Sequence, residues 1–373
     1  MIDREQLVEL FINLCRINSP PRQEREVVDF VKNYLSNLGL YIKEDRAGEA
    51  VGGNANNVIA TLPANRSGAP KIFFSAHFDT VEPNPNLRVV IKDEIIKSDG
   101  TSILGSDDKS GMAAILQAVR AVVENDLPHG QIQLLFSICE EVGLLGARHL
   151  DMALVDSDYG FVFDSGSPVG TVINSAPTHD SMRFKVIGRP AHAGVQPEKG
   201  ISAIKIAADA ISQMTLGRID EETTANIGVI EGGTANNIVC PEVNVRAEAR
   251  SRSVEKVDAQ TRHMIDCFEQ AAARAGGQVE VQKDRHYTGY LLTDDQPQVK
   301  LAMEAIRDVG LEPNFRPTGG GSDGSIYLDR GLPSVVLGTP MEHIHTHQEQ
   351  TPIAALVKSS EIALAIIRRA AGA

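Results

Sequence analysis

The sequence predicts an α/β chain. One sheet-and-helix domain, residues 1–176 and 288–373, is interrupted by an inserted ferredoxin-like α+β domain, residues 177–287. Three observations predict this. Through the first part, short apolar runs alternate with amphipathic helical segments, the pattern of strands joined by helices. Near Pro177 the texture changes to a β-α-β-β-α-β order. After about Leu291 the helix–strand pattern resumes and closes with a helix over 352–371.

Taken in order, two helices open the chain over 3–17 and 23–38, with Val27, Phe30, Val31 and Leu35 at helical spacing. Strands follow at 57–62 (NVIATL) and 71–76 (KIFFSA), then an Ala-rich helix at 110–124. Further strands fall at 131–138 (QIQLLFSI) and 160–164 (GFVFD). In the insertion, strands at 181–188, 226–233, 243–251 and 278–284 accompany helices at 201–214 and 254–275.

At 373 residues the chain can bury two cores. A net charge of −13 weighs against nucleic acid or anionic lipid as partner, because both need basic patches. No apolar run approaches the roughly 20 residues that span a bilayer. The start, MIDREQLVELFINLC, lacks a signal-peptide layout. Cys15, Cys139, Cys240 and Cys267 lie far apart with no CxxC pair, as expected of reduced, buried thiols in a cytoplasmic protein.

In open α/β sheets, chemistry sits at the carboxyl ends of strands. The apolar run ending at Ala76 leads straight into His77 and Asp79, which share one face of an extended chain. Asp107 and Asp108 stand just before a helix, Glu140 and Glu141 follow one strand, and Asp164 follows another. MEHIHTHQE (341–349) comes after the strand-like run PSVVLG. Each feature alone has a plain reading as a surface histidine, a solvated acidic pair or a helix cap. Together they crowd carboxylates that would repel one another unless a cation lies among them. About four carboxylates with two histidines suit a pair of zinc ions better than an all-oxygen magnesium or calcium site.

HFDTVEP, LGSDDKSG, EEVGLLGA, FDSG, GRPAHAG, GGTANNIV and HTHQE, in that order, resemble the motifs of the M20 metallopeptidases, and among them the peptidase T branch. The resemblance spans 73–349. It implies a mixed-sheet zinc-peptidase catalytic domain with an inserted lid or dimerisation domain. It also implies two divalent ions, Zn2+ foremost with Co2+ or Mn2+ as alternatives. His77, Asp107 and Asp164 would hold one ion, and Asp107, Glu141 and His345 the other. Among three histidines the resemblance implies His345, because it precedes Glu349 by four as the family's H-x-x-x-E pattern requires, which leaves His343 and His347 without assigned roles. A cis Asp107–Asp108 peptide is implied as well.

The resemblance makes Asp79 and Glu140 the catalytic pair. Asp79 would orient the His77 ring by accepting its second N–H. Glu140 would be the general base that activates a metal-bridging water and protonates the leaving amine. His192 would stabilise the oxyanion, while Asn237, Arg250 and the loop 318–325 around Gly320 would bind the substrate. Cys240 departs from the pattern, standing where relatives often carry proline. The implied activity removes the N-terminal residue of tripeptides or similar short peptides, in a homodimer formed through the inserted domain. An N-acyl-amino-acid deacylase or a carboxypeptidase would use the same metal residues. A non-catalytic metal- or peptide-binding relative could dispense with Glu140, which this chain keeps.

Overall fold

The structure is a computed structural model and describes residues 1–372. It divides into two compact units: Met1–Asn174 with Leu291–Pro317 and Ser322–Ala373, and Ser175–Tyr290 with Thr318–Gly321.

The first unit is built on a mixed sheet. Across it run Tyr41–Glu44, Val58–Leu62, Ile132–Ser137, Ile72–His77, Tyr159–Phe163, Ser334–Leu337 and Thr171–Ala176. The four from Ile132–Ser137 to Ser334–Leu337 are mutually parallel, and the outer strands pair antiparallel. Parallel strands are covered on both faces, so their sequences are mostly apolar, with a few buried polar residues such as Ser75 and Gln133. Every residue of Ile72–His77 and Ile132–Ser137 is buried. Phe74 packs on Phe161 and Phe163 with ring centroids 5.6 and 5.9 Å apart. Burying each such ring stabilises the fold by about 1.5–3 kcal/mol relative to exposure.

Helix Ser106–Glu124 packs beside strand Ile72–His77 and against helices Arg4–Arg16 and Ile353–Ala370. Its first turn is not helical at Asp107 (φ −80°, ψ 107°) or Asp108 (φ −115°, ψ 35°), so regular helix starts where the Ala-rich pattern does. Gly111 permits the close approach: a side chain there would occupy the positions of the Phe163 carbonyl and the Asp108 carboxylate.

A small sheet of Val89–Lys92, Ile95–Ser98 and Gln350–Pro352 was not expected from the sequence. Its hairpin turns through Asp93 and Glu94, both left-handed at φ 52° and 64°. Thr171–Ala176 was likewise unforeseen.

The second unit has an antiparallel sheet in the order Gly217–Arg218, Thr223–Gly232, Glu242–Ser251, Thr178–Ile187, Gln278–Tyr287. Burial alternates along Thr178–Ile187 and Glu242–Ser251, as one covered face requires. Helices Ala203–Ser212 and Val254–Ala275 supply the cover, with Phe184 and Phe268 stacked at 4.1 Å. Among the described residues, no helix is long and apolar enough to cross a membrane.

Candidate metal centre

The four parallel strands of the first unit deliver their carboxyl ends to one place. His77 is the last residue of its strand, and Phe78 after it is buried in the packing. Glu140 and Glu141 follow Ile132–Ser137, Asp164 follows Tyr159–Phe163, and His345 lies in the loop after Ser334–Leu337. The parallel order brings these ends together without any one segment carrying the whole site.

Asp107 lies at the middle. Its Oδ1 is 3.1 Å from His77 Nε2, and its Oδ2 is 3.2 Å from His345 Nε2. His345 Nε2 is also 3.3 Å from Glu141 Oε1, and His77 Nε2 is 3.9 Å from Asp164 Oδ1. The two oxygens of one carboxylate thus face two different imidazoles. Ligand atoms of His77, Asp107 and Glu141 lie within 4.8 Å of one another, as do those of His77, Asp108 and Asp164. Asp108 already receives the amides of Gly111 (3.1 Å) and His77 (3.4 Å), so it is committed to the backbone. The Asp107–Asp108 peptide is cis.

A second layer of carboxylates holds the backbone of the first. Glu349 accepts from the amides of Gly105 (2.6 Å) and Asp107 (3.0 Å), fixing the turn that presents Asp107. Asp79 departs from expectation. The His77 ring nitrogen Nδ1 meets the Asp79 backbone oxygen at 3.0 Å, while the carboxylate stands 3.6 Å away. The Asp79 carboxylate instead accepts from the amides of Glu140 (2.9 Å) and Glu141 (3.1 Å). Extended geometry put Asp79 beside His77. It could not foresee that two free amides at the next strand end would claim the side chain, leaving the carbonyl to orient the ring. Of the other histidines, His347 pairs with Glu82 at 2.9 Å and His343 is exposed.

The electrostatics suit a cation. Burial, with the charges of Asp107, Asp323 and Glu141 adding, pushes Asp164 up to about 8 although His77 opposes it. Burial also raises Glu140 well above its ordinary value, and pushes Glu349 up to about 7 and Asp323 up to about 6. Asp107, then Glu141, push His345 up to about 10. Asp107 is held below the usual carboxylate range by both imidazoles despite its burial. Carboxyls with raised values bind more protons folded than unfolded, so stability falls as pH rises from about 4 toward about 8. The raised His345 has the same sign, with its contribution lost between about 6.5 and about 10. Chelated protein is therefore expected to melt at progressively lower temperature from pH 5 to pH 8, and added Zn2+ to flatten that slope. Thermal melts with and without chelator check this; a chelated protein whose melting temperature rises over that range contradicts it.

Sequence reasoning missed several buried charges, Asp323 and Lys109 among them. Asp323, in the glycine loop 318–325, is 2% exposed and bonded to the Ser137 hydroxyl, with Oδ1 buried and unpartnered. The run of glycines points to the loop's backbone and masks its acid. Lys109 is fully buried with Nζ 2.6 Å from Ser19 Oγ. Burial pushes it down to about 8, while Cys15, Asp79, Glu24 and Asp108 pull the other way. A lysine directly after two aspartates was the available signal.

In the second unit, His192 lies in an exposed turn bridged to Ile238, and Ala193 N–H donates to Asn237 O at 2.9 Å, so the His192 and Asn237 segments adjoin. Arg250 donates to Glu248 on its own strand at 3.1 and 3.3 Å. The Gly320 N–H donates to Thr318 Oγ1 at 3.2 Å, so its own loop engages the group expected to face substrate. Cys240 is buried and donates its thiol to Glu242 O at 3.1 Å.

The residues present fit divalent ions. Glu141 Oε1 is buried without a hydrogen bond, and a set of carboxylates and imidazoles matches the ligand preferences of zinc and its neighbours. Comparison with known proteins agrees. The pattern of peptidase family M20/M25/M40 matches residues 73–369. An uncharacterised Bacillus subtilis protein, YqjE, is 43% identical over 371 residues, covering 100% of both chains. The crystal structure of a Staphylococcus aureus tripeptidase superposes with a TM-score of 0.95 at 43% identity, covering 100% of each chain. That of the Bacillus cereus aminopeptidase PepT gives 0.90 at 42% identity, covering 99% of each. With its strand-end carboxylates and histidines set out in this way, the chain belongs to peptidase family M20/M25/M40, the metal-dependent peptide hydrolases.

Proposed function

We propose that this protein is a di-zinc aminopeptidase that removes the N-terminal residue of tripeptides or similar short peptides. The observation that carries the metal reading is the Asp107 carboxylate, whose two oxygens face His77 and His345 separately. His77, Asp107 and Asp164 would hold one ion, and Asp107, Glu141 and His345 the other. Bound ions supply Lewis-acid polarisation of the scissile carbonyl and ease the deprotonation of water. Glu140 accepts a proton from the attacking water and returns it to the leaving amine. Burial and its acidic neighbours raise its proton affinity although His77 opposes them, which suits a group that must both take and give a proton. Asp79 fixes the backbone of Glu140 and Glu141, so the base and its neighbouring ligand move as one piece.

The same reading gives oxyanion stabilisation to His192 and substrate recognition to Asn237, Arg250 and the Gly320 loop. It takes the active form as a homodimer through residues 177–287. Four free, buried cysteines support action in a reducing compartment. The substrate class is supported by 43% and 42% identity to proteins described as a tripeptidase and an aminopeptidase.

Hydrolysis of a free tripeptide beside its N-acetylated form tests this, with zinc-loaded and chelated protein. Cleavage of the free peptide alone, lost on chelation, is expected. Cleavage of the acetylated compound alone would make the protein a deacylase, and release of the C-terminal residue first would make it a carboxypeptidase.

A further inference from the structure

The connector between the first two helices precedes the residues that the family pattern spans, yet it touches the site's scaffold at two points. Ser19 is fully buried. Its hydroxyl donates to Phe78 O (2.8 Å), and its carbonyl accepts from Thr80 N–H (3.0 Å), gripping the chain on both sides of Asp79. Glu24, also fully buried, reaches the other strand end. Its Oε1 accepts from the Cys139 amide at 3.0 Å and from the Cys139 thiol at 3.2 Å.

Cys139 is where the turn needs holding. It sits at φ 53°, in the left-handed region that side-chain-bearing residues adopt only when the surrounding structure holds them there. Three successive amides leave that bend: Cys139 to Glu24, and Glu140 and Glu141 to Asp79. Asp79 therefore fixes two residues of the turn, and Glu24 fixes the strained residue from which both emerge. The other Glu24 oxygen is buried without a hydrogen-bond partner. A carboxyl in that position serves neither solubility nor a surface ion pair.

We propose that Glu24 is a positioning residue for Glu140, acting through the Cys139 amide. The proposal rests on Glu140 being the general base. The competing account is purely structural. Oε1 also accepts from Arg22 N–H at 3.0 Å just ahead of helix Arg25–Asn37, so Glu24 could simply brace that helix start. A brace would change melting temperature without changing turnover per folded molecule. A positioning residue changes turnover with binding and metal content intact.

The test uses zinc-loaded full-length protein, assayed with a free tripeptide well below the melting temperature. Assayed at saturating zinc, so that the Glu141 position stays filled, Glu24→Ala is expected to keep KM while kcat falls by about 10-fold or more, the size of loss typical when residues supporting a metal site are removed. In metal-free protein, hydrogen exchange at the Cys139–Glu141 amides should quicken. Glu24→Gln keeps an oxygen acceptor at the same reach and should restore most of kcat and slow the exchange again. Wild-type kcat in Glu24→Ala, whatever its melting temperature, overturns the proposal, and so does a Glu24→Gln variant as impaired as Glu24→Ala. If Glu24→Ala does not fold, Glu24→Asp, one methylene shorter, takes its place under the same criteria. Glu140→Gln in the same assay separates the two readings. Full turnover there removes the base assignment whatever Glu24 shows, whereas lost turnover there with unchanged kcat in Glu24→Ala overturns only the positioning role.

Discussion

Glu140→Ala is expected to retain its full metal content and lose turnover by about 10²- to 10⁴-fold, the usual contribution of a positioned general base. Glu140 and Glu141 are adjacent, but the chain gives them different work. Glu141 Oε1 lies 3.3 Å from His345 Nε2 among the proposed ligands. Glu140 is held through its amide by Asp79 and carries the raised proton affinity. Removing its carboxylate takes away the proton acceptor and leaves His77, Asp107, Asp164, Glu141 and His345 in place. Metal analysis beside steady-state kinetics checks the split. Turnover within a few-fold of wild type in this variant would mean that some other group takes the proton.

Asp107→Ala is expected to have a still broader effect. Each oxygen of Asp107 faces a different histidine, so one substitution takes a ligand from both proposed ions at once. It also leaves His77, Glu141, Asp164 and His345 around a gap, and once the ions are lost nothing offsets the Glu141 and Asp164 charges. Losing an outer partner of a metal site typically costs about 10–100-fold in affinity. Losing a shared direct ligand should exceed that for each ion, and activity should disappear with the metal. His345→Ala and Asp164→Ala each touch one ion's set and should be milder in metal content.

Much of the site was legible because apolar strands end abruptly. A buried strand that stops at His77, Glu140 or Asp164 places a polar group where packing ceases, and the period of two decides which residues share a face. Helix ends were readable within a few residues for the same reason. Val254–Ala275 matches its sequence limits, and the regular part of Ser106–Glu124 begins after the two aspartates. The hairpin at Asp93–Glu94 escaped because both turn residues are left-handed without the glycine that usually marks such a turn.

What stayed hidden was the choice of hydrogen-bond partner. Asp79 lies where the extended chain puts it, yet its carboxylate serves amides 61 and 62 residues away while its carbonyl serves His77. Glu24 acts on Cys139 across 115 residues, and Asp323 meets Ser137 across 186. Such pairings depend on which strands become neighbours in the sheet, which no local pattern records. The three histidines near the end show the boundary between the two cases. The family's H-x-x-x-E pattern, with Glu349 as its acid, singled out His345; that ring lies 3.2 Å from Asp107 while His347 pairs with Glu82.

The shared carboxylate is the centre of the account, and counting metal tests it most directly. Zinc-loaded wild type, Asp107→Ala, His345→Ala and Asp164→Ala would be desalted and their zinc per chain measured alongside tripeptide hydrolysis. Two ions are expected in wild type, neither in Asp107→Ala, and one in each of the other variants. Two ions held by Asp107→Ala, or full wild-type activity with a single ion per chain, would contradict that expectation.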